Sequence, residues 1–296
     1  MTSSLVTGGC GFIGSHLVDV LVKMGHDVIV IDDLSASENE CFYFNDNASF
    51  HKRNIALDDC SDLFVDVDHV FHLAARSRIQ PTISSPSGCF EVNVVGTQRV
   101  LEWSRMNSVK RLIYSGTSSL YGHQNAIPFQ PNMPSDCLNP YSMSKWMGEQ
   151  VCKLYAQLYG LNSTVLRYFN VYGEREPTKG KYAPVIGLFK RQKRLGGPMT
   201  LVGDGSQRRD FTHVTDVINA NILSMNLPAQ NKYSVYNVGT GTNYSIEEIA
   251  NMIGGEKSYI EKRPAEVKET LADITLTTRD LKWIPTIKLE DIINSY

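Results

Sequence analysis

Along the first 170 residues, short apolar runs alternate with segments whose apolar positions follow the helical period. Leu5-Val6 leads into the glycine cluster Gly8-Gly9-Cys10-Gly11, and Phe12, Ile13, Leu17, Leu21 and Val22 then share one helix face. Gly25 stops that helix, and Val28–Ile31 is a continuous apolar strand of the kind buried on both sides. The pattern predicts a weaker strand at Ser49–Arg53, a fourth within residues 66–75 and a fifth at Arg111–Ser115. It also predicts a long helix over 87–107, with Asn93 and Thr97 on a polar flank. Such alternation specifies an α/β fold, a doubly wound parallel sheet with its ligand at the strands' carboxyl ends. Near residue 171 the rhythm is lost in a stretch rich in Lys, Arg, Gly and Pro. It resumes at Val235–Val238 and at a Ser245–Ile253 helix, where Ser245 and Glu248 form a capping box. The expected division is a first domain of 1–170 plus about 212–253, with a smaller interwoven lobe from about 171–211 and 254–296.

Composition narrows the partners. The 296 residues are 42% apolar and 20% charged, ordinary for a globular protein, and the net charge is −2. With no basic surplus, neither nucleic acid nor an anionic membrane is an expected partner. No apolar run is long enough to span a bilayer, and residues 1–20 lack the basic start and cleavage site of a signal peptide. The six cysteines are scattered without a C-x-x-C pair, which reads as reduced thiols in a cytoplasmic protein. His69 and His72 stand three apart in a strand and face opposite sides, so no metal site is expected there.

Two stretches carry chemistry. Glycines at 8–14 permit a tight turn, close backbone approach to a pyrophosphate and close helix packing, and the following helix offers free amides to phosphate. Asp32 lies 18 residues beyond Gly14, near the spacing of a carboxylate that bonds adenosine ribose hydroxyls. An acid there repels a 2′-phosphate, so NAD is expected over NADP. Asn54-Ile55 would sit beside the adenine, and small Ala74-Ala75 would let the backbone lie against the cofactor. The second stretch, Tyr141-Ser-Met-Ser-Lys145, follows Asn139-Pro140 at a helix start, where residues i and i+4 share a face. A tyrosine of pKa near ~10 is a poor base at neutral pH. A neighbouring ammonium and a cationic nicotinamide would favour its phenolate.

These residues occur in a familiar order. The loop Thr7–Gly14, Asp32, His72–Ala75, Asn93 with Gly96-Thr97, Ser115–Gly122, Tyr141 with Lys145, and Arg167–Asn170 together resemble extended short-chain dehydrogenase/reductases that act on nucleotide sugars. The resemblance covers nearly the whole chain. It implies a Rossmann domain of about seven parallel strands, a C-terminal sugar-nucleotide lobe, and homodimers paired through helices near 87–107 and 141–159. It implies NAD contacts from Gly8, Gly11, Phe12, Ile13, Gly14, Asp32, Leu34, Ser35, Ser37, Asn54, Ile55, Leu73, Ala74, Ala75, Asn93, Ser115, Tyr141, Lys145 and Tyr168. The catalytic group it implies is Thr117, Tyr141 and Lys145.

For the substrate, the resemblance implies Thr117, Ser118, Ser119, Tyr141, Asn170, Val185, Thr200, Val202, Arg209, Arg263, Glu266 and Thr270. Arg209 and Arg263 match the diphosphate-binding arginines, whose donor forks suit phosphate. Glu266 matches the acid near the ribose, and Tyr182–Ile186 the stretch lining uracil. Related 4,6-dehydratases carry Asp-Glu after the Thr117 position, and related decarboxylases carry Glu at the Ser119 position. Ser118-Ser119 has neither, which leaves removal and return of hydride, the task of a 4-epimerase. Thr270 stands where a bulky tyrosine excludes N-acetylated sugars, so this chain resembles the group that admits them. Arg76 and Arg78 depart from the family's small or neutral residues; either a sugar carboxylate or a cofactor phosphate would suit them, and the phosphate is preferred. The basic run Lys190–Arg194 is expected to be a solvated helix face. The expected function is an NAD-dependent UDP-sugar 4-epimerase, acting on UDP-GlcNAc/UDP-GalNAc or UDP-Glc/UDP-Gal. The alternatives are a UDP-glucuronate 4-epimerase, another nucleotide-sugar oxidoreductase, or a non-catalytic NAD-binding protein.

Overall fold

The computed structural model describes residues 1–36, 39–180, 182–265 and 267–295. Seven strands form the central sheet: β1 (Ser3–Thr7), β2 (Asp27–Asp32), β3 (Ala48–Lys52), β4 (His69–His72), β5 (Arg111–Thr117), β6 (Ser163–Tyr168) and β7 (Tyr233–Val238). All pairs are parallel, in the order β7-β6-β5-β4-β1-β2-β3. The chain leaves β1 towards β2 and β3, then returns to β4 on the other side. The crevice at the carboxyl ends of β1 and β4 is therefore the topological switch point, where such sheets take ligands. Thr7 stands opposite both Ile31 and His72 in the register, which brings the loops after β1, β2 and β4 to one rim.

Helices cover both faces of the sheet. On one, Leu17, Val18 and Leu21 of α1 (Phe12–Lys23), Val217 and Ile218 of a later helix, and Trp283 share a buried cluster. On the other, Phe64, Val100, Leu101, Trp103 and Tyr155 pack over Leu5, Val70 and Leu112. The helix expected over 87–107 is present with a modification: Pro86–Phe90 passes through a π-helical turn, Glu91–Gly96, into α2 (Thr97–Met106). Asn93 and Thr97 do not form a polar flank; each is 1% exposed. Thr97 Oγ1 meets His72 Nε2 at 2.8 Å, so these polar groups fasten the helix to the end of β4. The helix α3 (Pro140–Tyr159) begins with a capping box between Asn139 and Ser142 and ends at Gly160 in the left-handed region, φ 71°.

The second lobe is built from short, distant pairings. Met199–Val202 pairs with Lys257–Ile260, and Arg208–Asp210 with Asn243–Ser245. Its core joins Ile186 and Phe189 of α4 (Val185–Arg194) to Met199, Leu201, Phe211 and Leu289. The helix α5 (Val214–Met225) lies on the main sheet, whereas α6 (Ile246–Ile253) belongs to the lobe core through Ile249, Ala250 and Ile253. The segment 243–253 is thus corrected from the first domain to the lobe. In the opposite sense, Leu281 and Trp283 return to the main domain, the Trp283 indole donating to Asp216 O at 2.9 Å. Among the described residues, no helix is long and apolar enough to cross a membrane.

Candidate active site

The nucleotide end is set by the loop between β1 and α1. Gly8 has φ 72°, and a Cβ there would lie 2.8 Å from Ala74 N; a Cβ on Gly14 would lie 2.1 Å from Gly8 O. Only glycine allows both approaches. No side chain caps α1 at Gly11, so its first-turn amides are left to face the cavity lined by Gly11, Phe12, Ile13 and Gly14. At the end of β2, Asp32 accepts Cys10 N–H at 3.0 Å and Leu34 N–H at 2.9 Å. Burial raises its pKa, and these two bonds oppose the rise. Ser35, Asn54, Ile55, Leu73, Ala74 and Ala75 continue the same wall. Uncapped amides, a ribose-spaced acid and an apolar slot together fit NAD.

At the centre stand the residues expected to be catalytic. Tyr141 and Lys145 project from the first two turns of α3, facing Ser115, Thr117, Ser118 and Ser119 at the end of β5 and Tyr168 at the end of β6. Burial pushes the Tyr141 phenol above its usual pKa, while the Thr117 hydroxyl and the Arg78 charge pull it back. Lys145 is 2% exposed, and burial lowers its pKa to about 8. Its Nζ lies 4.1 Å from the centre of the Tyr114 ring. Arg78, from the loop after β4, is thus a further cation whose charge favours the phenolate. Behind Lys145, the buried Glu149 carboxylate accepts Arg167 Nη2 at 2.8 Å.

The far end lies between the two bodies. Asn170 Nδ2 donates to Asp210 O at 3.0 Å and to Thr270 Oγ1 at 3.3 Å. Thr270 Oγ1 also accepts Asp210 N–H at 3.2 Å. Arg209 Nη1 is held by Arg208 O and Lys268 O, and the Arg263 guanidinium lies 5.4 Å from the Tyr182 ring centre. With Val185, Thr200 and Val202, these side chains line the same cavity as Gly8 and Tyr141, a single space of about 540 Å³.

Two expected cofactor contacts do not line it. Leu34 turns away at φ 58° and packs against the main core. Asn93 accepts Arg76 N–H at 2.7 Å and donates to Arg76 O at 3.0 Å, which shapes the loop after Ala75 from behind. Ser37 and Glu266 lie outside the described residues. Arg76 reaches Ser35 Oγ at 3.2 Å, at the nucleotide end, whereas Arg78 lies near Tyr141. The run Lys190–Arg194 is not a plain solvated face: Arg191 pairs with Glu40 at 3.0 Å, and Lys193 donates to Ile253 O. Sequence reasoning missed Glu176, a 7% exposed acid in the cavity wall. It sits in the irregular stretch after residue 171, where no periodicity marks which side chains turn inward.

The fold and this cavity define a dinucleotide-dependent enzyme with room for a second, phosphate-bearing ligand. Residues 4–239 match the model of the NAD dependent epimerase/dehydratase family, and the chain belongs to that family. The UDP-glucose 4-epimerase of Mycolicibacterium smegmatis is 33% identical over 97% of this chain and 95% of its own. A UDP-N-acetylglucosamine 4-epimerase from Methanobrevibacter ruminantium, solved with UDP-N-acetylmuramic acid, has a TM-score of 0.91 at 30% identity, covering 99% of this chain and 96% of its own. The Bacillus cereus UDP-glucuronic acid 4-epimerase, solved with UDP-glucuronic acid and NAD, has a TM-score of 0.90 at 28% identity, covering 99% and 97%.

Proposed function

We propose that the protein is an NAD-dependent UDP-sugar 4-epimerase. The observation that carries this reading is the continuity of one cavity from the glycine loop, past Tyr141 and Thr117, to Asn170, Arg209 and Arg263. Bound NAD supplies a hydride acceptor that can return what it takes. Tyr141, as phenolate, removes the proton from the sugar 4-hydroxyl, and Thr117 positions that oxygen. Arg209 and Arg263 hold the diphosphate while the oxidised sugar turns over, so that the opposite face receives the hydride. Lys145 holds the nicotinamide ribose, and Gly8–Gly14 with Asp32 hold the adenosine half. Ser118 and Ser119 supply neither the acid nor the base that elimination requires. Thr270, being small, leaves room for an acetamido group, which favours UDP-GlcNAc/UDP-GalNAc beside UDP-Glc/UDP-Gal.

We place the enzyme in the cytoplasm as a homodimer. Met106, Leu154, Leu158 and Tyr159, on α2 and α3, are 64%, 48%, 63% and 53% exposed, an apolar strip suited to a second copy. Light scattering of the purified protein tests this, and a monomer at micromolar concentration would refute it.

The central test offers UDP-glucose, UDP-N-acetylglucosamine and UDP-glucuronate side by side. Interconversion of C4 epimers without net NADH supports the reading; accumulation of NADH would make the protein a dehydrogenase. Tyr141→Phe should lose turnover by at least about a hundredfold while keeping bound NAD. Near-normal turnover in that variant removes Tyr141 as the base.

A further inference from the structure

The loop that carries Arg263 is tied to the helix that carries Tyr141. Asn139, the N-cap of α3, is 8% exposed, and both ends of its amide are used. Its Oδ1 accepts Ser142 N–H at 2.9 Å, which caps the helix. Its Nδ2 donates to Ala265 O at 3.3 Å, just beyond Arg263 in the chain. These partners fix the amide's orientation, since turning it over would set donor against donor and acceptor against acceptor. A second tie runs from Gln80 Nε2 to Pro264 O at 3.1 Å. Gln80 stands in the short helix Ile79–Ser84 and lines the cavity with Arg263 and Tyr141.

The turn is one that needs holding. Ala265 stands at φ 58°, a left-handed conformation that is costly for a residue with a Cβ and persists where neighbours impose it. The loop follows the lobe strand Lys257–Ile260, whereas Gln80 and Asn139 belong to the main domain, so both hydrogen bonds join the two bodies at the cavity. Capping alone does not call for asparagine, because serine and aspartate cap a helix as well. Serine is too short to reach the loop, and aspartate would set a carboxylate against the Ala265 carbonyl.

We propose that Asn139 is a positioning residue for the diphosphate grip: its amide oxygen fixes the start of the catalytic helix, and its amide nitrogen holds the Arg263 loop in place relative to Tyr141. This rests on the proposed function, in which Arg263 meets the substrate's diphosphate and Tyr141 its sugar. One ligand spans both, so a side chain that fixes one against the other sets the distance the ligand must cover. A loop already held also spares the ligand the cost of ordering it.

The test uses the NAD-loaded enzyme and measures UDP binding by calorimetry. Asn139→Ser keeps the cap and loses the tie, so UDP affinity should fall about fivefold, the loss of one neutral hydrogen bond, with Gln80 still holding Pro264 O. Asn139→Asp should weaken UDP by about tenfold or more, because two acceptors then face each other. The deciding arm repeats Asn139→Ser in Arg263→Met. A residue that acts through Arg263 has nothing left to position there, so UDP affinity should change by less than about twofold. Equal losses in the two backgrounds overturn the proposal, since Asn139 would then only support the fold. So does unchanged UDP affinity in both Asn139 variants. Wild-type enzyme that binds no UDP overturns the UDP-sugar reading and this proposal with it. UDP binding that weakens in Arg263→Met but not in Asn139→Ser overturns this proposal alone.

Discussion

Breaking the Glu149–Arg167 pair should unseat the helix that carries Tyr141 and Lys145. Glu149 lies one turn beyond Lys145 on α3, and its side chain is 0% exposed; that of Arg167, on β6, is 6% exposed. Three contacts join them, from Nε at 3.1 and 3.2 Å and from Nη2 at 2.8 Å. Arg167 Nη1 also donates to Tyr121 Oη at 2.8 Å and to Pro131 O at 3.0 Å. Arg167→Met strips the buried carboxylate of its hydrogen-bonded partner and leaves only Lys145, one turn away, as a cation, a loss of about 3–5 kcal/mol. For a chain this long that is a fall of roughly 6–10 °C in Tm, at about 2 °C per kcal/mol. Combining Arg167→Met with Glu149→Met removes the stranded charge as well. The double variant should regain about 2 kcal/mol over Arg167→Met alone. It remains below wild type because Tyr121 and Pro131 O each lose a bond worth about 1 kcal/mol. Urea unfolding of the four proteins of this cycle, all NAD-loaded, gives the coupling energy. A single-variant loss below about 1 kcal/mol, or strictly additive losses, would refute the claim that a buried charge pair holds α3 to β6.

Three further outcomes follow from the geometry. Gly14→Ala places a methyl 2.1 Å from Gly8 O and should abolish NAD retention through purification; NAD that stays bound in that variant rules out the loop as its seat. Thr270→Tyr should fill the sugar end and favour UDP-glucose over UDP-N-acetylglucosamine by about tenfold or more in kcat/KM, and an unchanged preference refutes the gating role. His72, buried between Thr7 and Thr97, is held neutral with its pKa lowered to about 3 by burial. The unfolded chain binds a proton there below about pH 6.5 and the folded chain does not, so this group's contribution falls as pH drops from ~6.5 towards the folded value. The stability gap between wild type and His72→Gln should therefore shrink by about 1.2 kcal/mol from pH ~6 to ~5. Urea melts at the two pH values that show no shrinkage would mean that His72 protonates in the fold.

The central sheet was legible because parallel strands buried on both faces are written as unbroken apolar runs, as in Val28–Ile31. The glycine loop and α3 were legible through local signals, glycine spacing and the Asn139-Pro140 start. The lobe was not, since its ladders join Met199–Val202 to Lys257–Ile260 across more than fifty residues and no local period records such a partner. For the same reason 243–253 was assigned to the wrong body: its capping box is local, but its packing against Phe189 and Leu201 is not. Asn93 and Thr97 were misplaced because a polar letter in an amphipathic helix reads as exposed until its buried partner is known. Here the partners are Arg76, Ser144 and His72, each far away in sequence or on another element.

The charge pattern around Tyr141 ties these parts to one kind of chemistry. Lys145 and Arg78 both line the cavity with the phenol, one from its own helix and one from the loop after β4. Opposite stand the hydroxyls of Thr117, Ser118 and Ser119, with no carboxylate among them. Reversible oxidation at one carbon needs a single group that gives up and regains one proton. Elimination needs a second acid–base group beside it. A neutral hydroxyl rim next to a cation-flanked phenol meets the first requirement and fails the second. Under the proposed function, epimerisation follows from that absence only if Arg209 and Arg263 hold the far end of the ligand and leave the sugar alone free to turn.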